Sequence, residues 1–236
     1  MQPNDPHTER PEFDHYAGQY DDMHVASIAA SGEEPAYFSA YKAQYMAAHA
    51  RVGTPAPVIL DFGCGIGNSL PHLHASFPTA ILHGSDPSGE SIRMAKARVG
   101  DIASVVESPD DALPYADGTF DLALVACVLH HIRPHDRARW MAELRRVMRP
   151  GGQLFVFEHN MLNPLTRKVV RDCPFDEDAV FLPRTELLGL TRDAGFADVD
   201  SQYVVFFPRP LSVLRPLEPL LGWLPLGAQY VVQGRA

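Results

Sequence analysis

From residue 58 onward, short apolar runs alternate with stretches of helical period. Val58–Leu60, Ala80–Gly84 (AILHG), Phe120–Val128 (FDLALVACV), Gln153–Phe157, Val199–Phe207 and Gln229–Gln233 read as strands, with Ser104–Glu107 a weaker one. Phe120–Val128 is almost continuously apolar, as expected of a parallel strand covered on both faces. Between these runs, Leu70 and Leu73 open a helical period, and Glu90–Val99 offers Ile92, Met94 and Ala95 for packing. His135–Met148 places Trp140, Leu144, Val147 and Met148 on one side and arginines on the other, and Pro150-Gly151-Gly152 stops it. Thr185–Ala194 reads as a helix ending at Gly195. This alternation predicts an α/β fold with a doubly wound sheet. Upstream, Phe13–Ala50 is helical in pattern but broken at Ser31-Gly32, which predicts two helices rich in tyrosine, joined to the first strand by Gly53–Pro57.

The first strand runs into the most informative stretch, V58-ILDFGCGIGNSLPHL-73. Asp61 follows the apolar run, and Gly63, Gly65 and Gly67 come at alternate positions before the helical period. A strand, a glycine turn and a helix N-terminus let a ligand approach the main chain where no Cβ obstructs it. Asp61 is the first side chain able to reach a ligand lying over the turn, at the carboxyl edge where open parallel sheets bind. Asp86 ends the second strand, where an acid in dinucleotide-type folds accepts hydrogen bonds from ribose hydroxyls. A nicotinamide oxidoreductase is the competing reading, but its fingerprint spaces glycines G-x-G-x-x-G, and here the third glycine comes two positions after the second.

Composition narrows the classes. The chain has 236 residues, 46% of them hydrophobic, enough for a proper core. Its net charge of −9 argues against nucleic acid as a partner, since such binders carry a basic face. Cys64, Cys127 and Cys173 are scattered and form no C-x-x-C pair, which fits a reducing, cytoplasmic setting and supplies no cysteine triplet for an iron–sulfur cluster. The polar, proline-bearing first twelve residues do not resemble a signal peptide. The apolar stretch Leu211–Leu226 is broken by Pro216, Pro219 and Pro225, so no membrane span is expected there.

The series I-L-D-F-G-C-G-I-G, an acid ending the next strand, L-P-Y-A-D-G-T-F-D, then L-R-R-V-M-R-P-G-G-Q-L resembles the class I S-adenosylmethionine-dependent methyltransferases, of the small-molecule methyltransferase 11/12 type, over about residues 58–160. The resemblance implies a seven-stranded Rossmann-like sheet whose last strand is antiparallel, with an N-terminal helical cap. It implies one methyltransferase domain over 1–236: a cap at 1–52, a cofactor-binding half at 53–160 and a substrate-side half at 161–236 with a loop at 160–183 and an apolar insertion at 208–227. S-adenosyl-L-methionine is the implied cofactor. Asp61 would sit near its amino group, and Gly63, Cys64, Gly65 and Gly67 would line its methionine portion. Asp86, followed by Pro87, would hold the ribose. Asp110 or Asp111, with Ala112 and Leu113, would border the adenine, and Ala126 and Cys127 would close the site at the fourth strand's end. The stretch Ser108-Pro109-Asp110-Asp111-Ala112 departs from the family's usual Gly-Asp-Ala, leaving open which aspartate meets the adenine amine. Tyr20 is a further candidate for the cofactor site, and Tyr16 for the substrate.

Methyl transfer needs an aligned nucleophile, a dry site and a destination for a proton. His130 and His131 end the fourth strand and Glu158 ends the next, a spacing similar to the His…Glu dyad of polyketide-synthase carbon-methyltransferase domains. On that resemblance His130 is the general base and Glu158 its orienting partner, with His131 the alternative. His159 and Asn160 follow at once and are candidates for substrate contact or for capping the loop. Arg171, with Arg167 and Lys168, is either a solvated face or a partner for an anionic substrate group. No histidine spacing matches a standard metal set, so no metal is expected. The aromatics and prolines at 160–183 and 208–227 point to a small apolar or aromatic metabolite of the natural-product kind, methylated on O, N or C, or else to a homodimer interface, which leaves monomer or homodimer open. A non-methyl reaction such as cyclisation on the same cofactor site is the alternative chemistry.

Overall fold

The computed structural model describes residues 20–108, 111–171, 173 and 178–236. Its seven strands are β1 (Val58–Phe62), β2 (Ile81–Asp86), β3 (Ala103–Glu107), β4 (Phe120–Ala126), β5 (Met148–His159), β6 (Ala197–Val204) and β7 (Gln229–Arg235). They form one sheet in the order β3-β2-β1-β4-β5-β7-β6. β1, β2, β3, β4 and β5 pair in parallel, and β7 runs antiparallel between β5 and β6. The order therefore reverses beside β1, and the carboxyl ends of β1 and β4 lie side by side, with Phe62 opposite Val125. Such a switch point is where an open α/β sheet leaves a crevice.

The helices are α1 (Tyr20–Ile28), α2 (Pro35–His49), α3 (Leu70–Ser76), α4 (Gly89–Val99), α5 (Arg137–Val147), α6 (Pro164–Arg171) and α7 (Arg184–Asp193). α1 runs into a short 3-10 turn at Ala29–Ser31, and Gly32 ends it at φ 71°, so the break at Ser31-Gly32 is real. Each sheet face has its own core. Trp140, Met141 and Leu144 of α5 and Leu187 of α7 pack on Leu60, Ala123, Val125 and Val156. Ala43 and Met46 of α2, Leu70 and Leu73 of α3, and Ile92 and Ala95 of α4 pack on Ile59, Leu122, Leu124 and Phe155. Tyr45 of α2 meets Phe157 edge-on, with ring centroids 5.5 Å apart, so α2 forms part of a covering layer as well as a cap.

Three features differ from the sequence reading. β5 begins at Met148, passing through Pro150-Gly151-Gly152 by a shift of register against β4. The connection after β5 contains α6, short and strongly two-sided, with Thr166 and Val170 buried. The proline-rich stretch after β6 is a 3-10 run, Arg209–Leu220, because repeated proline removes the amide donors a longer α-helix needs. It leaves Val213, Leu220 and Trp223 exposed. Among the described residues no helix is long and apolar enough to cross a membrane.

Candidate active site

The turn after β1 is shaped by contacts that require glycine at some positions and leave space at others. Gly63 has φ +70° and a Cβ there would stand 2.5 Å from Val128 Cγ2. Gly67, at φ +82°, packs against Ala95 and Val99 of α4. Gly65, at φ +50°, has nothing within 4 Å of the position its Cβ would take, and it faces a cleft. Asp86 ties this turn to the next one: its Oδ2 accepts from Gly65 N at 2.9 Å and its Oδ1 from Ser88 N at 3.0 Å. Ser88 Oγ in turn caps α4 by accepting from Ser91 N.

The cleft over these strand ends has a volume of about 1000 Å³. It brings together Asp61, Gly63, Cys64, Gly65, Asp86, Pro87, Ala126, Cys127, His130, His131 and His159 from the ends of four strands. Asp61 is 1% exposed and no partner reaches its Oδ2. Burial, and then the neighbouring Asp86 charge, push the Asp61 carboxyl up to about 7, with Lys42 opposing them. An acid left without a donor inside a polar cleft suits a cationic ligand group. This orphaned oxygen and the open space over Gly65 fit the ammonium and chain of S-adenosylmethionine's amino-acid end. The Asp86 carboxylate, which lines the cleft at the end of β2, suits ribose hydroxyls.

At the β4 end, His130 Nδ1 lies 2.5 Å from Glu158 Oε2, both side chains 1% exposed. Glu158 Oε1 accepts from Leu129 N at 2.8 Å. Burial alone would raise the Glu158 carboxyl. The charge and hydrogen bond of His130, with His159 and the Leu129 amide, outweigh it and hold the carboxyl below the ordinary glutamate value. An ionised Glu158 fixes a proton on Nδ1, so that whenever the ring is neutral Nε2 is its accepting nitrogen. Phe181 stacks on His130 at 5.0 Å, and the His131 ring lies 4.2 Å from it.

Arg137 secures this corner. It is 1% exposed, contrary to the expectation of an all-solvent arginine face. Its Nε donates to the carbonyls of Leu129 and Ile132, its Nη1 to Glu186 and its Nη2 to Val180 O. Val180 N donates to His130 O, so one guanidinium fixes both the histidine loop and the segment that carries Phe181. Neither Arg137 nor Phe181 was singled out from sequence. The only signal for Arg137 was its position in the first turn of α5, close behind the histidines.

Other expected site residues fall elsewhere. Ala112 and Asp111 do not line the cleft, and Leu113 is buried, its amide donating to Glu143 and its carbonyl accepting from Arg146. Asn160 is 3% exposed and spans the loop, donating to Pro225 O and Gly227 O while its Oδ1 accepts from Leu162 N. Arg171 ends α6 on the exposed side. Tyr20 opens α1, its side chain outside the described set, and Tyr16 and Asp110 lie outside the described residues. Among the described residues, no group of three or more His, Cys, Asp or Glu is placed to hold a metal ion.

Residues 60–156 match a family model described as a methyltransferase domain. A ubiquinone/menaquinone biosynthesis C-methyltransferase of Desulfotalea psychrophila is 30% identical over 60% of this chain and 54% of that protein. A trans-aconitate 2-methyltransferase of Mycobacterium ulcerans is 29% identical over 70% of this chain and 64% of that protein. The chain thus spans less than two-thirds of the length of either relative. Among solved structures, a possible histamine N-methyltransferase from Thermotoga maritima superposes with a TM-score of 0.67 at 22% identity, covering 94% of this chain and 97% of that one. A [4+2]-cyclase superposes with a TM-score of 0.63 at 18% identity, covering 96% of this chain and 97% of that one. These two likenesses are of fold.

Proposed function

From the class I S-adenosylmethionine-dependent methyltransferase domain that this chain carries, we propose that it transfers a methyl group from S-adenosylmethionine to an O, N or C nucleophile of a small molecule. The observation that carries this reading is the pairing, in one cleft, of an orphaned buried carboxylate at Asp61 with a histidine held by a buried glutamate at His130. The bound cofactor supplies an electrophilic methyl group. Asp61 holds the cofactor's ammonium, and Asp86 its ribose hydroxyls. His130 Nε2 takes the proton that the acceptor loses, and Glu158 keeps the ring oriented and offsets the imidazolium charge. Arg137 keeps the histidine loop in place, together with the Phe181 ring stacked on His130, so that the base stays oriented. The cleft is also lined by Tyr37, Phe38, Leu165, Val169, Phe206 and Phe207. That lining supports an apolar or aromatic metabolite as the acceptor.

The test is incubation of the protein with methyl-labelled S-adenosylmethionine and a panel of phenolic, quinonoid and carboxylate acceptors. Label in the product, lost in His130→Gln with S-adenosylhomocysteine affinity retained, is the expected result. Product that forms without label, or full turnover by His130→Gln, would overturn the reaction or the base respectively.

A further inference from the structure

Lys42 projects from α2 into the same cleft as Asp61, although its side chain belongs to the layer that covers the sheet. The residue is 7% exposed, a depth at which lysine is seldom found without a partner. Among the described residues no hydrogen bond or ion pair engages its ammonium. Its charge is nonetheless felt at Asp61, where it opposes the effects of burial and of Asp86. Both groups line one cleft, and no salt bridge closes between them. An acid whose Oδ2 has no donor thus shares the cleft with a buried cation that no described acceptor engages. The ligand chemistry complementary to both at once is an α-amino acid zwitterion: an ammonium for the acid and a carboxylate for the lysine. Ser39, one turn earlier on α2, also lines the cleft and adds a hydroxyl on the same side.

We propose that Lys42 binds the α-carboxylate of the cofactor's amino-acid tail, so that α2 supplies the anion-binding half of a clamp whose cation-binding half is Asp61. This deepens the cofactor assignment and rests on it. α2 then has a role in recognition besides its packing. It ties cofactor binding to the seating of the N-terminal helices, because a displaced α2 would remove the clamp's cation.

The test uses the full-length protein and three probes: S-adenosylhomocysteine, its decarboxylated analogue, which keeps the amine, and 5′-methylthioadenosine, which lacks the amino-acid tail. Titration calorimetry should show the wild type preferring S-adenosylhomocysteine to the decarboxylated analogue. Lys42→Met should weaken S-adenosylhomocysteine by about 10- to 100-fold, the range of a charge-assisted contact, and erase that preference. Its affinity for 5′-methylthioadenosine should stay as it was, which also reports an intact fold, and Lys42→Arg should restore most of the loss. A wild type that binds the decarboxylated analogue as tightly as S-adenosylhomocysteine would overturn the clamp without touching the cofactor site. So would a Lys42→Met loss shared equally by all three probes. Failure of all three to bind the wild type would instead remove the cofactor assignment and the clamp with it.

Discussion

Asp61 and Glu158 are carboxylates buried to the same depth, 1% exposed each, at the carboxyl ends of two parallel strands, and their acidities move in opposite directions. Glu158 has a donor on each oxygen, His130 on one and the Leu129 amide on the other. Its charge is compensated inside the protein, and its carboxyl is held below the ordinary value. Asp61 has an oxygen with no donor and a second acid, Asp86, for a neighbour, so burial drives its carboxyl up to about 7. Depth alone therefore decides neither case, and the partners do. Glu158 belongs to a finished constellation that a reaction can use. Asp61 belongs to an unfinished one that a cationic ligand completes.

The largest test of that contrast removes the group Glu158 serves. His130→Ala should lower turnover by about 100- to 1000-fold while leaving S-adenosylhomocysteine affinity unchanged, read by steady-state kinetics beside calorimetry. Next in size, Glu158→Ala strands both the buried Nδ1–H of His130 and the Leu129 amide. It should lower the melting temperature by about 5–15 °C, read by calorimetric unfolding. Asp61→Asn should do the reverse to the ligand-free protein. The folded Asp61 value lies above the ordinary aspartate value of 3.8, so between 3.8 and about 7 the folded state holds the extra proton. The stability this acid contributes therefore falls as pH rises through that window. Asp61→Asn removes the loss and should raise the melting temperature by about 3 °C or more at alkaline pH, shrinking toward nothing below the window. A variant equally stabilised throughout that range would break the comparison.

Much of this contrast is visible in the chain before it folds. The acid at 61, the glycines at 63, 65 and 67 and the acid at 86 announce the unfinished half, because a turn that must pass close to a ligand writes its demands locally. The doubly wound sheet follows from alternation, and its seven strands with the last one antiparallel follow from the resemblance of four ordered motifs. His130 and Glu158 are legible as strand-end residues, whereas their 2.5 Å contact depends on β4 and β5 being neighbours. Arg137, Phe181 and Lys42 were not legible. Each acts across the fold, from α5, from the segment after α6 and from α2, onto a site written elsewhere, and an arginine or lysine in a helix reads as a solvated face until the packing is known. Asn160 shows the converse, since its place beside the histidines left substrate contact and loop capping both open, and its amide is spent on the carbonyls of Pro225 and Gly227. The 3-10 run after β6 was hidden because prolines signal the absence of a long helix and say little about what replaces it.

The claim that Asp61 is completed by the cofactor's ammonium is tested most directly by counting protons. With its carboxyl pushed up to about 7, Asp61 carries protons near neutral pH in the ligand-free protein, and an ammonium seated against it would ionise it. Titration calorimetry of S-adenosylhomocysteine in buffers of differing ionisation enthalpy should then show net proton release in the wild type that is absent in Asp61→Asn. Binding by the wild type with no proton released, or with the same release in Asp61→Asn, would contradict the account.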